Sequence, residues 1–232
     1  MAKYKRILLK ISGEALSDGN MNINGENTAN VAAQIKQIVE TGVELGVVVG
    51  GGNIWRGRTN ESMDRATADY IGMLATVMNG LALGEALTAI GVDNKVVSSF
   101  AIDKVCETYF LPSVQGYLKE GKVVIFVGGT GSPYFSTDTA ASLRACEIHA
   151  DALICMKAVD GIYNCDPTLN KKAIKYDEIS YDKVIADNLK AMDLTAIAMC
   201  REFGVKVIAL GKNEKNGIVR ALNGEKIGTI IS

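Results

Sequence analysis

The residues best suited to chemistry form a glycine-rich motif, VVVGGGNIWRG, that runs from Val47 to Gly57. Three β-branched residues indicate a short buried strand, and the triplet Gly50–Gly52 then leaves no Cβ where the chain must turn out of a sheet. Backbone amides at such a turn can approach a phosphate closely, and Arg56 follows near enough to aim its guanidinium at the same oxygens. The motif predicts an anion site, although the glycines alone fit a sharp turn without a ligand equally well.

A second candidate lies at the end of the first predicted strand, where the sequence reads Lys10-Ile11-Ser12-Gly13. An otherwise apolar strand ends there on a lysine and opens into small residues with exposed amides. Lys10 could neutralise a transferring phosphoryl group, or it could be a strand-end lysine that reaches solvent.

A second glycine-rich segment, GGTGSPYFSTD, runs from Gly128 to Asp138 and precedes a helical pattern. Thr137 or Asp138 is expected to cap that helix, which would be a structural role without chemistry. The aromatic pair Tyr134 and Phe135 fits a rigid wall for a planar ring at least as well as it fits a turn.

A further loop contains two turn signals, Asp160-Gly161 and Asp166-Pro167. Together they frame Tyr163, which could lie against a base. Taken alone this is a weak motif, and it gains weight only as another glycine-containing loop at the same edge of a sheet.

These loops must be positioned by strands, and strand-like runs do alternate with helical patterns along the chain. The six predicted strands are KRILLKI near Arg6 to Ile11, VVV at Val47, KVVS at Lys95, KVVIFV at Lys122, ALICM at Ala152 and VKVIAL at Val205. Such alternation is typical of βαβ units, and open parallel sheets bind ligands beyond the carboxyl ends of their strands. We therefore expect one α/β domain over residues 1–232, a three-layer α/β/α sandwich with a mostly parallel central sheet.

The composition excludes several classes of function. The 232 residues carry 25 Lys plus Arg and 26 Asp plus Glu, and the net charge of -1 gives no footprint for nucleic acid or an anionic membrane. No apolar run approaches the length of a membrane span, and charges interrupt the N-terminal apolar stretch as they would not in a signal peptide. We expect a cytoplasmic protein with no membrane or nucleic-acid partner.

The cysteines and the histidine are equally restrictive. Five cysteines without CxxC spacing argue against a disulfide framework and against a zinc site, so we expect reduced packing residues and no metal site. The only histidine, His149, has no matching nucleophile motif.

The stretch from Ala66 to Ile90 is Met-rich and apolar at helical spacing. It predicts a core helix, and the alternative is a subunit interface, because a helix that is apolar on more than one face needs more than one neighbour.

Absent motifs narrow the class further. The chain has no GxxxxGK[ST] loop, no GxGxxG after a strand and no protein-kinase signature set. The interpretation that remains is a kinase that builds its phosphate site from several loops.

Six motifs together carry a resemblance to a known family. They are YKRILLKISGEAL from Tyr4, GGGNIWRG from Gly50, GMLATVMNGLAL from Gly72, TGSPYFSTDTAA from Thr130, VDGIY from Val159 and MDLTA from Met192. From about Tyr4 to Ile231 the chain resembles the bacterial uridylate (UMP) kinases of the amino acid kinase superfamily. Relatives that act on acetylglutamate, aspartate or carbamate share the Lys-x-x-Gly start and the glycine triplet, but the Thr130–Thr137 segment resembles the UMP enzymes.

The resemblance assigns roles to individual residues. It implies that ATP is held by Lys10, Ile11, Ser12, Gly13, Gly52, Arg56, Lys157, Tyr163 and Asp166. It implies that UMP is held by Gly51, Asp69, Thr130, Gly131, Ser132, Pro133, Tyr134, Phe135, Ser136 and Thr137. It implies catalytic roles for Lys10, Arg56, Asp138 and Asp193.

The resemblance also implies an activity, which is transfer of the γ-phosphate of ATP, bound with Mg²⁺, to UMP in pyrimidine nucleotide biosynthesis. It further implies a homohexamer with allosteric GTP as activator and UTP as inhibitor. Phosphoryl transfer depends on positioning and cations more than on covalent help, which agrees with the shortage of histidine. Two alternatives stay open at this point, a kinase for a small carboxylate and a nucleotide-binding module without chemistry.

Overall fold

The computed structural model describes residues 3–20, 22–56, 63–212 and 214–232. Gly57, the last residue of the first glycine-rich motif, lies outside this part of the chain.

A nine-stranded sheet forms the centre of the described structure, in the order β4-β3-β5-β2-β1-β6-β10-β11-β9. Its strands are β1 Arg6–Ile11, β2 Glu44–Val49, β3 Asn94–Ser98, β4 Glu107–Thr108, β5 Val123–Val127, β6 Ala152–Lys157, β9 Glu178–Ile179, β10 Lys206–Gly211 and β11 Thr229–Ile231. Neighbouring strands are parallel except for β10 and β11. A separate hairpin pairs β7 Ile162–Tyr163 with β8 Lys175–Tyr176. The predicted mostly parallel sheet is confirmed.

Helices cover both faces of this sheet. They are α1 Gly25–Val39, α2 Arg65–Ala89, α3 Leu111–Lys119, α4 Thr137–Glu147, α5 Tyr181–Ala186, α6 Leu194–Phe203 and α7 Gly217–Leu222, with a 3-10 helix at Gly13–Leu16. One buried cluster contains residues of α1, α2 and α7 together with Ile7 and Leu9 of β1. A second cluster, on the opposite face of the sheet, contains residues of α3, α4, α5 and α6 together with Leu8. Alternate residues of one strand therefore enter two cores, as the three-layer prediction requires.

All six predicted strands are present, whereas the additional strands have only two or three residues each. One predicted helix cap was wrong. Ser136, and not Thr137 or Asp138, caps α4, because its side chain accepts a hydrogen bond from the Thr139 amide. Thr137 and Asp138 lie in the first turn of the helix instead.

Helix α2 is only partly the core helix that its sequence predicts. Met73, Val77 and Leu83 are buried, whereas Leu74 and Met78 are half-exposed. By length and composition α2 could cross a membrane, contrary to the expectation from sequence, but half of its most apolar window is buried inside the fold.

Candidate active site

A cleft of about 550 Å³ lies at the carboxyl ends of β1, β2 and β5, and we call it the main cleft. Twelve of the predicted site residues line it: Lys10, Gly51, Gly52, Arg56, Asp69, Thr130, Ser132, Phe135, Ser136, Thr137, Asp138 and Asp193. The size is typical of a small-molecule site, and the edge of the sheet is the one where open α/β folds bind ligands.

Lys10 is one of the cationic side chains in the lining of the main cleft, with Arg56 and Arg65. Its Nζ lies 3.1 Å from Oδ1 of Asp138, and both side chains are largely buried. Burial alone would lower the pKa of the Lys10 amine, but the Asp138 carboxylate, together with Cys155 and Asp193, has the opposite effect, and the pKa is raised from its ordinary value of 10.5. Lys10 therefore carries its positive charge throughout the physiological pH range.

The N-terminal turn of α4 faces the same cleft. Thr137 and Asp138 line the cleft from this turn, next to the cap residue Ser136. Unpaired amides and the helix dipole make such a turn favourable for an anion. The Lys10 amine and the start of α4 therefore face the same region of the cleft, together with the carboxylates of Asp138 and Asp193.

Asp193 ties two helix starts together. It caps α6 through the Ala196 amide, at 2.9 Å, and also accepts hydrogen bonds from the hydroxyls of Ser136 and Thr139. Its carboxylate therefore fixes the start of α4 relative to α6.

The glycine triplet is held from beneath by two buried amide side chains. Nδ2 of Asn79 in α2 donates to the Gly50 carbonyl at 2.7 Å, and Asn79 and Asn53 exchange hydrogen bonds of 2.7 and 3.1 Å. Asn79 is 0 % exposed. Gly13 packs so closely on this pair that an added Cβ would lie 2.2 Å from Oδ1 of Asn53. The turns after β1 and β2 therefore share one buried support.

Arg56 spans these same two turns. Its guanidinium forms an ion pair with Glu14 of the 3-10 helix, and its Nε donates to the Gly52 carbonyl at 3.2 Å. The side chain lines the main cleft and is largely exposed.

Asp69 connects α2 to the loop after β5. The Arg65 Nε lies 2.9 and 3.0 Å from its two oxygens, and the Tyr134 amide donates to Oδ2 at 2.8 Å. Tyr134 adopts a left-handed backbone with φ 71°, an uncommon conformation for a bulky residue. The Asp69 carboxylate satisfies the amide of this residue, which holds the loop against α2.

A second cavity of about 420 Å³ lies beside the β7–β8 hairpin, and we call it the hairpin cavity. Tyr163 and Asp166 line it, together with the segment Asp187–Lys190. The Tyr163 hydroxyl donates to Asp160 at 2.6 Å, which raises the pKa of the tyrosine above its ordinary value. The predicted turns at Asp160 and Asp166 do bring Tyr163 to a cavity.

Other predicted residues lie outside both linings. Ile11 and Gly13 are buried beneath the turn after β1, and the side chain of Lys157 donates to the Ala191 carbonyl. The described lining of the two cavities does not include Ser12, Gly131, Pro133 or Tyr134 either.

Sequence reasoning missed Asn53, Asn79 and Thr76. The Thr76 hydroxyl accepts a hydrogen bond from the Gly128 amide at 2.8 Å, and Thr76 lines the main cleft. The available signal was the presence of Thr76 and Asn79 among the apolar residues of α2, since a buried polar residue usually has a specific partner.

Over the described ranges of the chain, no group of three or more His, Cys, Asp or Glu side chains is arranged to hold a metal ion. Asp138 and Asp193 are the carboxylates near Lys10 in the lining. Mg²⁺ often binds through one or two carboxylates and the phosphates of a substrate, and this pair fits such a cation if it arrives with a nucleotide.

Three solved structures resemble the chain over its length. The UMP kinase from Bacillus anthracis superposes with a TM-score of 0.95 at 36 % identity, covering 99 % of this chain and 96 % of that one. The UMP kinase from Ureaplasma parvum gives 0.93 at 37 % identity, covering 99 % of each chain. The uridylate kinase from Archaeoglobus fulgidus gives 0.74 at 26 % identity, covering 100 % of each.

These matches confirm the resemblance to the uridylate kinases that the six motifs predicted. A family model described as the amino acid kinase family matches residues 5–210. The chain belongs to the amino acid kinase family.

Proposed function

We propose that this protein is a UMP kinase, which transfers the γ-phosphate of MgATP to UMP and releases UDP and ADP in pyrimidine nucleotide biosynthesis. The observation that carries the proposal is the Lys10–Asp138 pair, set in one cleft with the glycine turns and the start of α4. The identity of 36 and 37 % to two UMP kinases, over nearly the whole chain, supports UMP as the acceptor.

Lys10, Arg56 and the amides of the glycine turns would stabilise the transferring phosphoryl group. Negative charge spreads over its equatorial oxygens in a loose transition state, so preorganised cations and amides lower the barrier. Asp138 would keep Lys10 in place, and Asp193 would do the same for the start of α4. A UMP phosphate oxygen is already ionised near neutral pH, so the acceptor needs no general base. Mg²⁺, bound to the ATP phosphates, would offset further negative charge.

The two substrates would occupy different ends of the site. Gly51, Asp69 and the Thr130–Thr137 segment would hold UMP in the main cleft, with Phe135 as an aromatic wall. Tyr163 and Asp166 would hold the adenosine of ATP in the hairpin cavity, and Ser12, Gly13 and Gly52 would hold its phosphates. Lys157, the last residue of β6, would also contribute to the binding of ATP.

The proposal includes a cytoplasmic homohexamer whose chain is one domain over residues 1–232. An exposed stripe on α2 supports an assembly, because an apolar row at helical spacing needs a partner. Its members, at spacings of three and four, are Tyr70, Leu74, Met78 and Leu81. Activation by GTP and inhibition by UTP complete the proposal on the basis of the resemblance.

The test is coupled ADP release with MgATP and UMP, CMP, dUMP, acetylglutamate, aspartate or carbamate in parallel. We expect turnover with UMP well above every carboxylate, and a response of that rate to GTP and UTP. Turnover with a carboxylate instead would overturn the acceptor assignment, and no turnover with any acceptor would favour a nucleotide-binding module. Light scattering of the same preparation gives the mass of the assembly.

A further inference from the structure

The loop that follows β5 depends on outside contacts for its shape. Gly128, Gly129 and Gly131 have φ of 77°, 59° and 85°, a region that glycine enters and leaves at little cost. Two hydroxyls from other elements hold it. Thr76 accepts from the Gly128 amide at 2.8 Å, and Ser99, just after β3, donates to the Gly129 carbonyl at 2.7 Å.

The direction of the Ser99 hydroxyl is fixed by a buried cation. Nη2 of Arg144 in α4 donates to Oγ of Ser99 at 2.8 Å. A guanidinium has no acceptor atom, so the single hydroxyl proton must point away from Arg144. Two carbonyls can accept it, Gly129 in the loop at 2.7 Å and Val127 at the end of β5 at 3.2 Å, and the shorter bond is the one to the loop.

Arg144 itself is tightly held. It is 4 % exposed, it forms an ion pair with Glu147, and its guanidinium lies 3.9 Å from the ring centroid of Tyr109. The Tyr109 hydroxyl donates to the same Glu147 carboxylate at 2.8 Å. The Arg144 charge is therefore paired with Glu147 and stacked on the Tyr109 ring, so the guanidinium donates to Ser99 from a fixed position.

We propose that Ser99, oriented by Arg144, is a positioning residue that sets the Gly128–Gly131 loop and thereby the affinity for the phosphate acceptor. This inference rests on the proposed function, in which the acceptor lies in the main cleft. Gly129 and Thr130 line that cleft, whereas Ser99 and Arg144 do not appear in its described lining. The hairpin cavity is built from a different part of the chain, so the effect should be confined to the acceptor.

Two single-hydroxyl deletions in the same cluster test the proposal. Ser99→Ala removes the hydroxyl that donates to the Gly129 carbonyl of the loop. Tyr109→Phe removes a hydroxyl that donates to Glu147 and interacts with Arg144, and that has no hydrogen bond to the loop. For the full-length protein we would measure KM for UMP, KM for ATP, kcat and the thermal midpoint. We expect Ser99→Ala to raise KM for UMP about tenfold, since loss of a hydrogen bond to a charged network is commonly of that size. KM for ATP should change less than about twofold in both variants, and KM for UMP should do the same in Tyr109→Phe.

The KM ratio separates positioning from general loosening of the fold. Equal increases in KM for UMP from both variants, or parallel increases for UMP and ATP, would overturn the proposal. Arg144→Lys, which keeps the charge but loses the fork, should also raise KM for UMP selectively and provides the test if Ser99→Ala does not fold. Normal UMP turnover with an unchanged KM in Ser99→Ala would refute this inference alone, whereas a wild-type protein that does not phosphorylate UMP would refute the proposed function itself.

Discussion

The main cleft and the hairpin cavity are supported in different ways. In the main cleft, buried polar side chains bridge distant parts of the chain, as Asn79 does to Gly50 and Thr76 to Gly128. Around the hairpin cavity most hydrogen bonds are local, as where Asp166 accepts from the amide and hydroxyl of Thr168.

This difference suggests that the two regions have different roles, with the main cleft determining the rate and the hairpin cavity determining nucleotide binding. Long-range buried contacts fix atoms before the substrate arrives, and preorganised charges at a transferring group have the largest effect on rate. Local contacts at the surface open at low free energy, which suits a segment that adjusts around a nucleotide base. Removal of Lys10 or Asn79 from the main cleft should therefore lower kcat or stability, whereas changes at the hairpin should mainly raise KM for ATP.

The largest effect is expected from Lys10→Ala. Removal of one preorganised charge typically lowers kcat by about 10²–10³, and Lys10 is a largely buried cation that pairs with Asp138 in the first turn of α4. We expect such a loss of kcat in steady-state assays with a normal circular dichroism spectrum.

Lys5→Ala is a matched control, because Lys5 precedes the same strand at its opposite end. Its kcat should equal that of the unaltered protein. A Lys10→Ala variant with near-normal kcat would remove Lys10 from the proposed mechanism.

The next effect is on stability. Asn79→Leu keeps the approximate size of the side chain but removes the hydrogen bonds to Gly50 and Asn53, and each buried group left unsatisfied costs about 1–3 kcal/mol. We expect the free energy of unfolding in urea to fall by about 3 kcal/mol in total.

Glu85→Gln is the control for this prediction, because Glu85 is exposed on the same helix. This substitution should change the free energy of unfolding by less than about 0.5 kcal/mol. If the two variants have the same urea midpoint, Asn79 does not provide the buried support that distinguishes the main cleft.

How far the sequence predicts this molecule depends on the range of the interactions. The six long strands could be predicted because each is an apolar run of its own, and the loops after them share one edge of the sheet. Strands of two residues such as β7 and β8 could not, because so short a run has no periodicity.

The site shows the same limit. Ser136, Thr137 and Asp138 are three successive residues that favour helix caps, so local preference cannot choose among them. Contact with Asp193, 57 residues away, accompanies the choice of Ser136. Ser99 and Arg144 are 45 residues apart and neither has a local signal.

A smaller effect is expected at the hairpin. The buried Thr229 hydroxyl accepts from the Ile162 amide at 2.8 Å and donates to the Tyr176 carbonyl at 2.5 Å, which fastens both hairpin strands to β11. Valine at position 229 has nearly the same shape as threonine but cannot form these hydrogen bonds. If Thr229→Val weakens the binding free energy of ATP by about 1 kcal/mol, KM for ATP should rise about fivefold.

Thr229→Ser retains the hydroxyl and should restore KM for ATP. KM for UMP should stay unchanged in both variants. An increase for UMP as large as that for ATP would show that the hairpin cavity is not separate from the acceptor site.

The smallest perturbation uses the cysteines, since one thiol reports on each region. Cys165 is exposed in the lining of the hairpin cavity, and Cys155 is buried in β6 next to Lys10 of β1, which lines the main cleft. Burial raises the pKa of Cys155 to about 12, so its thiol stays protonated at pH 8. We expect iodoacetamide at pH 8 to modify Cys165 rapidly and Cys155 only on unfolding, as read by peptide mass spectrometry.

The same labelling separates the two cavities by ligand. MgATP should slow alkylation of Cys165, UMP alone should not, and Cys165→Ser should abolish the rapid phase.

The pH dependence of Cys155 labelling follows from the direction in which its pKa is shifted. Because the folded state holds the Cys155 proton above the ordinary thiol pKa of 9.0, this thiol favours unfolding increasingly above about pH 9. Slow labelling of Cys155 should therefore begin as the pH rises past 9, and rapid labelling at pH 8 would show that β6 is not held closed beside Lys10.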